Sequence, residues 1–453
     1  MPDSPFAAES CSSLPAIVTA HDQLSFRELE SAAARAEQRM RRSGVIRGDI
    51  AGVALGQTVE AIVLLRALMR IGAAACMINP RWPQNEVGRA VSATGCTRLI
   101  DRFTLDGADT KAEQAKTDLS QPATVIFTSG STGDPKPALH SVDNHRQSAL
   151  AGNANIPLQP GDRWLLSLPL HHVGGIGILF RYAAAGAAAA VPDPEMPLPR
   201  ALEILRPTHL SLVPTQLHRL LDEQDAARML ASVKAILMGG APMPPSLVRR
   251  AFDLGVPIHT SYGLTETSSQ ITATRPGDDL DALMTSGAPL TPGTVSISDD
   301  GEILVRGKTL FLGYLQNKTL RRPLDSDGWF ATGDLGRFDA NNRLIVTGRR
   351  DNMFISGGEN VQPEEVERRL CDLPGVQHAL VVPVHDDEYG EVGAAFVKMD
   401  DTTPPNPAAL AAQLREQLPA YKIPKYFRPW SPNLPDSASK SSRRLAAKTL
   451  FPK

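Results

Sequence analysis

The chain has 453 residues, of which 42% are hydrophobic and 21% charged, and its formal net charge is -2 at pH 7. This length exceeds what one compact core usually holds, so we expect a multidomain protein of roughly two to four units. The hydrophobic fraction is typical of a soluble globular protein, and the balanced charge excludes a basic groove for nucleic acid.

The cysteines and the apolar stretches indicate where the protein works. Four scattered cysteines lack the spacing of a zinc site or a disulfide framework: Cys11, Cys76, Cys96 and Cys371. The first residues include Asp3 and Glu9 in place of the basic start of a secretory signal. The longest uncharged stretch, residues 164–180, contains Pro169 and falls short of the ~20 apolar residues that span a bilayer. We therefore predict a cytoplasmic protein without stable membrane insertion.

Short apolar runs alternate with helical periodicity along the first third of the chain. Helices are predicted at residues 26–40 and 58–71, and strands at residues 50–55 and 73–78. Further strands are predicted at residues 123–127, 164–168, 210–213 and 235–238. Residues 295–314 contain short strands and turn signals, which predict a small β-rich subdomain. The alternation predicts an α/β fold, in which strand ends commonly form the functional site.

Residues 128–136 form the most informative segment, because they place hydroxyls, glycines and Lys136 directly after the apolar run 123–127. Glycines let backbone amides turn toward an anion, hydroxyls add donors, and the lysine supplies positive charge. The spacing departs from the Walker pattern, so the usual P-loop is excluded. We predict a different loop that holds a nucleotide triphosphate. An ordinary Ser/Gly surface loop is the alternative when this segment is taken alone.

A second cluster, residues 261–266, combines an aromatic ring, a hydroxyl and a carboxylate. Tyr262 can stack on a base, Thr265 can donate to a phosphate, and Glu266 can bind a divalent cation that bridges phosphate oxygens. A capped helix start explains the same residues equally well.

Two later clusters follow in the chain. Residues 328–334 end in Asp334, whose carboxylate can accept both hydroxyls of a ribose, with a surface turn as the alternative. Residues 348–351 are basic and precede the Gly-rich residues 356–359 and a helix start, a pattern that indicates a domain junction.

Taken together and in this order, these segments and residues 239–242 resemble the adenylate-forming superfamily of acyl-CoA synthetases, nonribosomal adenylation domains and luciferases. The resemblance implies that a carboxylate attacks the α-phosphorus of ATP to give an acyl-adenylate, and that a thiol then displaces AMP. It implies ATP, Mg²⁺ and coenzyme A as substrates and cofactor, and a homodimer as a family expectation. It also implies an N-terminal domain of layered α/β subdomains at residues 1–350 and a mobile α+β C-terminal domain at residues 351–453.

The resemblance assigns roles to individual residues. Lys136 would hold the β and γ phosphates, Thr265 the α-phosphate, and Glu266 the Mg²⁺. Asp334 would hold the ribose with support from Arg349. The complete nucleotide-binding set is Thr128, Ser129, Gly130, Ser131, Thr132, Gly133, Lys136, Gly240, Ala241, Ser261, Tyr262, Gly263, Thr265, Asp334, Arg349 and Lys440.

The C-terminal part carries the remaining roles that the resemblance implies. Asp351 is the hinge position, and Gly357 and Gly358 belong to the thioester step. Relatives usually supply a second catalytic lysine in a Gly-Lys pair followed by an arginine. Lys440 matches it, with Ser439 in place of the glycine. A solvated basic tail is the alternative for this lysine.

Residues 164–173, 208–217 and 356–367 resemble the short o-succinylbenzoate-CoA ligases of menaquinone synthesis. This resemblance implies that 2-succinylbenzoate, ATP and CoA give 2-succinylbenzoyl-CoA, AMP and diphosphate. His172 and Ser211 would then lie beside the acyl group, with ordinary core positions as the alternative. No dedicated arginine for the second carboxylate is visible in the sequence.

Three other functions remain open. The enzyme could activate another aryl or medium-chain acid with the same catalytic parts. It could be an adenylation domain that serves a carrier protein, although the amino-acid branch usually places an aspartate where His172 lies. It could also be a low-turnover acyl or nucleotide-binding protein, against which Lys136, Glu266, Asp334 and Lys440 argue.

Overall fold

A computed structural model describes residues 12–105, 118–128, 135–316, 319–400, 404–431, 434, 443 and 446–447. The helices are α1 (Phe26–Arg42), α2 (Val59–Ile71), α3 (Gln84–Thr94), α4 (Val142–Asn155), α5 (Val173–Ala185), α6 (Leu198–Leu205), α7 (Pro214–Leu221), α8 (Ala226–Met229), α9 (Pro245–Asp253), α10 (Leu280–Leu283), α11 (Pro363–Cys371) and α12 (Pro407–Arg415). Single 3₁₀ turns lie at Thr265–Thr267, Arg350–Asn352 and Ala420–Lys422. Within these described ranges, no helix combines the length and the apolar character that crossing a lipid bilayer requires.

The strands of the first half are β1 (Pro15–Val18), β2 (Gln23–Ser25), β3 (Ile50–Val53), β4 (Ala74–Met77), β5 (Arg98–Ile100), β6 (Pro122–Thr128), β7 (Lys136–Ser141), β8 (Arg163–Leu165), β9 (Ala188–Ala190), β10 (His209–Leu212), β11 (Ala235–Met238) and β12 (Ile258–His259). Those of the second half are β13 (Ser261–Leu264), β14 (Ser269–Ala273), β15 (Ala288–Pro289), β16 (Val295–Ile297), β17 (Glu302–Val305), β18 (Gly313–Gln316), β19 (Thr319–Arg321), β20 (Phe330–Phe338), β21 (Leu344–Arg349), β22 (Phe354–Ser356), β23 (Glu359–Val361), β24 (Val376–Asp386), β25 (Gly390–Met399) and β26 (Tyr426–Pro429).

Two seven-stranded sheets form the larger part of the molecule. Their strand orders are β12-β11-β10-β8-β9-β1-β2 and β19-β18-β7-β6-β4-β3-β5. Parallel pairs dominate their centres, as in β8-β10-β11 and β3-β4-β6. One hydrophobic cluster combines strands of both sheets with α1, α2, α4 and α5, so these helices form the layer between the sheets. The predicted α/β fold is confirmed.

The helices α1 and α2 lie close to the predicted ranges, because local capping residues mark where they begin and, for α2, where it ends. Ser25 and Glu28 form a capping box at the start of α1. Thr58 caps the start of α2, and Gly72 ends it with φ 84°. Nearly every residue of α2 is buried, which explains why its periodicity is weaker than that of α1, which is buried on one face and exposed on the other.

The small β-rich subdomain consists of the antiparallel sheet β16-β17-β20-β21. The sequence-based prediction that residues 295–314 all belong to it is wrong at its C-terminal end. β18 leaves this sheet and pairs with β7, so that Tyr314 lies opposite Ala138. Gly313 permits this crossing, because a Cβ atom at this position would lie 2.5 Å from the Arg321 carbonyl oxygen.

From residue 354 onward the chain forms its own five-stranded sheet, β23-β22-β25-β24 with β26 beside β25. Its two hydrophobic clusters contain no described residue that precedes Phe354. Two hydrogen bonds reach back across the junction, from Gln362 to the Arg349 carbonyl oxygen at 2.9 Å and from Arg368 to the Val346 carbonyl oxygen at 3.1 Å. This pattern supports the domain boundary near Arg350, which we retain as a proposal.

Candidate functional site

The side chains of Tyr262, Asp334 and Arg349 meet where β13 approaches the small sheet. The Tyr262 hydroxyl donates to Asp334 Oδ2 at 2.7 Å, and Arg349 Nη1 donates to Asp334 Oδ1 at 2.8 Å. Asp334 and Arg349 are direct partners on β20 and β21, so the sheet register fixes this pair. Burial raises the pKa of Asp334, while Arg349 and Tyr262 act against that rise. Each carboxylate oxygen retains a lone pair, with which Asp334 can accept ribose hydroxyls.

The residues that the resemblance assigns to the adenine pocket follow the carboxyl ends of two parallel strands, β11 and β12: Gly240, Ala241, Ser261, Tyr262 and Gly263. Gly240 and Ala241 follow β11 and are exposed. The Ser261 hydroxyl donates to the Met238 carbonyl oxygen at 2.6 Å, which joins β13 to the end of β11. The position agrees with the rule that ligands bind beyond the carboxyl ends of α/β sheets. The Tyr262 ring itself lies inside a hydrophobic cluster, and its stacking on a base stays a prediction.

The turn that carries Thr265 and Glu266 is held from three sides. The ring Nε2 of His140 on β7 lies 2.7 Å from the Thr265 carbonyl oxygen, and the Phe311 amide donates to the Glu266 carbonyl oxygen at 2.8 Å. The Tyr314 hydroxyl donates to Glu266 Oε1. Burial raises the pKa of Glu266, and the Tyr314 hydrogen bond opposes that rise. The carboxylate is therefore fixed before any ligand arrives.

Lys136 is the first residue of β7 and pairs with Thr128, the last residue of β6. Its Nζ lies 5.6 Å from the centroid of the Tyr314 ring. The loop residues between these strand ends, Ser129, Gly130, Ser131, Thr132 and Gly133, lie outside the described residues. Lys136 and Glu266 therefore meet the same tyrosine, at its ring and at its hydroxyl.

Lys440 also lies outside the described residues, but Arg443 three positions later is described. The Arg443 side chain is buried and pairs with Glu364 and Glu367 on α11. These pairs anchor the C-terminal side of the segment that carries Lys440.

The donors at this site fit a magnesium ion that arrives with a nucleotide. Among the described residues, no group of three or more His, Cys, Asp or Glu side chains could hold a metal. Magnesium in nucleotide enzymes typically has one or two carboxylate ligands and takes the rest from phosphates and water. Tyr314 holds Glu266 Oε1, so Oε2 is the oxygen that would contact such an ion. The residues thus fit magnesium bound to ATP.

His172 and Ser211, predicted to lie beside the acyl group, have different surroundings. His172 is exposed at the start of α5, with its ring 4.5 Å from that of His171. Burial and the neighbouring His172 lower the pKa of His171 to about 4. Ser211 is buried on β10, where its hydroxyl accepts a hydrogen bond of 3.1 Å from the Trp164 indole. Their contact with an acyl group stays a prediction.

Arg181 on α5 is a candidate that the sequence analysis missed. It is 2% exposed, and neither terminal nitrogen of its guanidinium has a hydrogen-bond partner among the described residues. The guanidinium carbon lies 4.6 Å from the centroid of the Trp164 ring. Burial lowers the pKa of Arg181 to about 9. A buried guanidinium whose terminal nitrogens make no hydrogen bond is costly, so this position indicates a place for an anion.

The surroundings of Arg181 place it close to the nucleotide residues. A Cβ atom at Gly152 of α4 would lie 1.8 Å from Arg181 Nη2 and 2.8 Å from Gln270 Nε2, so the absent side chain makes room for both groups. Gln270 is the direct partner of Gly263 on the neighbouring strand, and its Nε2 also lacks a hydrogen-bond partner within the described ranges. A sequence signal existed, since Arg181 is the only charged residue between positions 164 and 192.

The C-terminal positions of the predicted site lie at the junction. Asp351 lies in the 3₁₀ turn after β21, with Oδ2 3.8 Å from Arg349 Nη2. Gly357 and Gly358 form the exposed two-residue loop between β22 and β23, with φ 58° and 86°. Positive φ at both positions favours glycine in such hairpins. Their part in thioester formation stays a prediction.

Comparison with known proteins adds independent information. Residues 6–315 match the family model of AMP-binding enzymes, and residues 365–440 match that of the AMP-binding enzyme C-terminal domain. The 2-succinylbenzoate--CoA ligase of Geobacillus kaustophilus is 34% identical over 94% of this chain and 93% of its own length.

Two solved structures are similar over nearly the whole chain. Both are o-succinylbenzoate CoA synthetase (MenE) from Bacillus subtilis. The complex with the acyl-adenylate intermediate OSB-AMP is 28% identical with a TM-score of 0.85, over 97% of this chain and 96% of that chain. The complex with ATP and magnesium ion is 29% identical with a TM-score of 0.85, over 96% of this chain and 97% of that chain. Because the family model matches residues 6–315, more than half of its length, this chain belongs to the AMP-binding enzyme family.

Proposed function

We propose that this AMP-binding enzyme ligates 2-succinylbenzoate to coenzyme A through an acyl-adenylate. The observation that carries the choice of acid is Arg181, a buried cation whose terminal nitrogens have no hydrogen-bond partner among the described residues. The names of its relatives support the same choice. Coenzyme A as the acceptor and a homodimeric state are part of the proposal, as is a cytoplasmic location.

In the first half-reaction, a carboxylate oxygen of the acid attacks the α-phosphorus of ATP, and the bond to pyrophosphate breaks. Two anions must meet, so positive charge has to offset their repulsion in a site with little water. Lys136 and Lys440 supply that charge, and Thr265 donates to the α-phosphate. A magnesium ion held by Glu266 would neutralise phosphate charge when bound. Asp334 and Arg349 fix the ribose, which sets the α-phosphorus in line with the acid.

In the second half-reaction, the thiol of CoA attacks the acyl carbon, AMP leaves, and the thiol proton passes to solvent. Rotation about Asp351 would exchange the segment of Lys440 for the Gly357–Gly358 hairpin at the same site. Within the described residues, such a rotation would break the hydrogen bonds of Gln362 and Arg368 across the junction and separate the stacked rings of His218 and His378, whose centroids lie 6.2 Å apart.

The acid must carry a second anionic group if it is to use Arg181. Gln270 is the strand partner of Gly263 in the predicted adenine pocket. A Cβ atom at Gly152 would approach both Gln270 Nε2 and Arg181 Nη2, so Arg181 lies close to that pocket. Gln270 Nε2 adds a donor beside the guanidinium. A carboxylate there would accept from both groups, and a charge-assisted bond to arginine is stronger than a neutral one. 2-Succinylbenzoate has two carboxylates, one to be activated and one for this position.

The test is product formation with ATP and CoA, measured by mass spectrometry for 2-succinylbenzoate, benzoate and octanoate in parallel. We expect 2-succinylbenzoyl-CoA and AMP to dominate. A preference for benzoate or octanoate would retain the ligase and overturn the substrate. If no acid gives an adenylate, the low-turnover binding function replaces the ligase.

A further inference from the structure

Tyr314 contacts two residues of opposite charge that both act on ATP in the proposed function, Lys136 and Glu266. Its hydroxyl donates to Glu266 Oε1, and the ammonium of Lys136 lies 5.6 Å from its ring centroid. No ion pair joins Lys136 to Glu266, both of which are in the described part of the chain. The tyrosine contacts both residues, Glu266 through its hydroxyl and Lys136 through its ring.

The ring of Tyr314 is held in place from the other side. The Phe311 ring meets it edge-on, with 4.7 Å between centroids, and is itself fully buried. Phe311 also packs edge-on against Phe330 of the small sheet. The strand pairing of Tyr314 with Ala138 fixes its backbone two residues from Lys136 on β7. The ring position is thus set by the fold and does not depend on a ligand.

We propose that Tyr314 is a positioning residue for ATP binding, a spacer that orients Glu266 through its hydroxyl and keeps Lys136 from neutralising that carboxylate. The inference rests on the proposed function, since it takes Lys136 and Glu266 as the phosphate and magnesium residues. With Oε1 held by the hydroxyl, Oε2 would be the oxygen that contacts a magnesium ion bound to the triphosphate.

The choice of a tyrosine follows from the strengths of its two contacts. A cation over an aromatic face is attracted only modestly at a partly exposed site, so phosphates can withdraw the lysine. A direct ion pair with Glu266 in a partly buried site would compete much more strongly with the phosphates. A hydrogen bond to an ionised carboxylate is among the stronger hydrogen bonds, so Glu266 keeps its orientation during this exchange.

Two substitutions separate the functions of hydroxyl and ring. Tyr314→Phe keeps the ring and removes the hydroxyl, whereas Tyr314→Leu removes both. Tyr421→Phe is the matched control, because Tyr421 is 39% exposed in the C-terminal part and also has a lysine, Lys422, 5.9 Å from its ring centroid. Equilibrium binding of ATP is measured by calorimetry with and without Mg²⁺, in the absence of any acid.

For Tyr314→Phe we expect about a tenfold rise in the Mg²⁺ concentration needed for tight ATP binding, the size of one lost hydrogen bond to a charged group. ATP binding without Mg²⁺ should be unchanged. For Tyr314→Leu, ATP binding without Mg²⁺ should also weaken, because Lys136 can now pair with Glu266. Adding Glu266→Gln to the leucine variant should restore metal-free ATP binding.

Several outcomes would overturn the inference. Wild-type-like Mg²⁺ dependence in Tyr314→Phe would leave the hydroxyl without a function in metal binding. Equal loss with and without Mg²⁺ would make Tyr314 a packing residue, as would failure of Glu266→Gln to restore binding. If the wild type binds ATP as expected but turns over no acid, only the proposed function is contradicted. If the wild type binds no ATP at all, both fall.

Discussion

The proposed ribose side, around Asp334, and the proposed acyl side, around Arg181, are built in opposite ways. On the ribose side, both oxygens of Asp334 receive protein donors, from Tyr262 and Arg349. On the acyl side, Arg181 and Gln270 keep buried donors without partners in the described part of the molecule. A satisfied network is rigid and stable before its ligand binds, whereas unsatisfied buried donors carry a cost that only a ligand removes. Around Asp334, the groups that would bind the ligand also stabilise the ligand-free protein. Around Arg181, the groups that would bind the ligand destabilise it.

The largest effect is expected where the two sides meet, at the reacting phosphate. Lys440→Ala should slow adenylation by about 10²–10³-fold, because it removes the positive charge that the proposed mechanism places at the reacting phosphate. Thioester formation from supplied acyl-adenylate should change much less. Pyrophosphate release and thioester formation are measured separately, with Lys448→Ala as the control. Equal loss in both steps would remove Lys440 from its assigned role.

Replacing Arg181 should remove the cost of the unsatisfied donors on the proposed acyl side. Arg181→Met should raise the free energy of unfolding of the ligand-free protein by about 1–4 kcal/mol, because an unpaired buried cation is replaced by an apolar chain of similar length. Arg163→Met is the matched control. Arg163 donates to the Leu205 carbonyl oxygen at 3.0 Å, so its loss should not stabilise the protein. Urea denaturation measures both, and a destabilised Arg181→Met would mean that Arg181 has partners of its own.

Removing a charge on the proposed ribose side should lower the free energy of unfolding, the opposite of the effect expected for Arg181→Met. Asp334→Asn keeps the shape but removes the charge that Arg349 and Tyr262 address, so we expect a loss of about 1–3 kcal/mol in the free energy of unfolding. ATP affinity should fall with it. Denaturation and calorimetry on the same preparation test the pair of effects, and a fall in affinity without a fall in stability would show that the network forms only around the nucleotide.

At neutral pH the smallest effect is expected at the buried histidines that lie between the two sides. His140 bonds to Thr265 and stacks at 4.9 Å on His145, which stacks at 4.9 Å on Phe180, the neighbour of Arg181. Burial lowers the pKa of His140 from 6.5 to about 4. Between these values the unfolded chain binds the proton more readily, so stability falls as the pH drops from 6.5 toward 4.

For His140 alone this loss is about 3 kcal/mol between pH 7 and pH 4. Because other groups titrate in the same range, the measurement compares wild type with His140→Gln in urea denaturation at several pH values. The variant should show a flatter dependence by that amount. Parallel curves for the two proteins would show that the pKa of His140 is the same in the folded and the unfolded state.

Much of the fold was predictable because its determinants are local. The caps at Ser25 and Thr58 delimit α1 and α2, and the apolar runs of β3 and β4 lie within the predicted ranges. The resemblance to adenylate-forming enzymes is confirmed by the family match, since its motifs are contiguous runs in the sequence. The individual roles carried over with that resemblance stay predictions.

The parts that sequence reasoning missed depend on packing between distant segments. Whether Arg181 has a partner is decided by Gly152 and Gln270, which come from another helix and a distant strand. Tyr314 was assigned to the wrong sheet, because the pairing of β18 with β7 leaves no local mark beyond Gly313. Neither the charge of a residue nor its spacing reports such contacts.

The most direct test of the central claim is the ratio of kcat/KM for 2-succinylbenzoate to that for 4-oxo-4-phenylbutanoate, the same acid without the ring carboxylate. The wild type should favour the diacid by about a hundredfold or more, and Arg181→Met should bring the ratio close to one, because the second carboxylate then has no buried cation to meet. A wild-type ratio near one, or a large ratio that Arg181→Met leaves unchanged, would contradict the account.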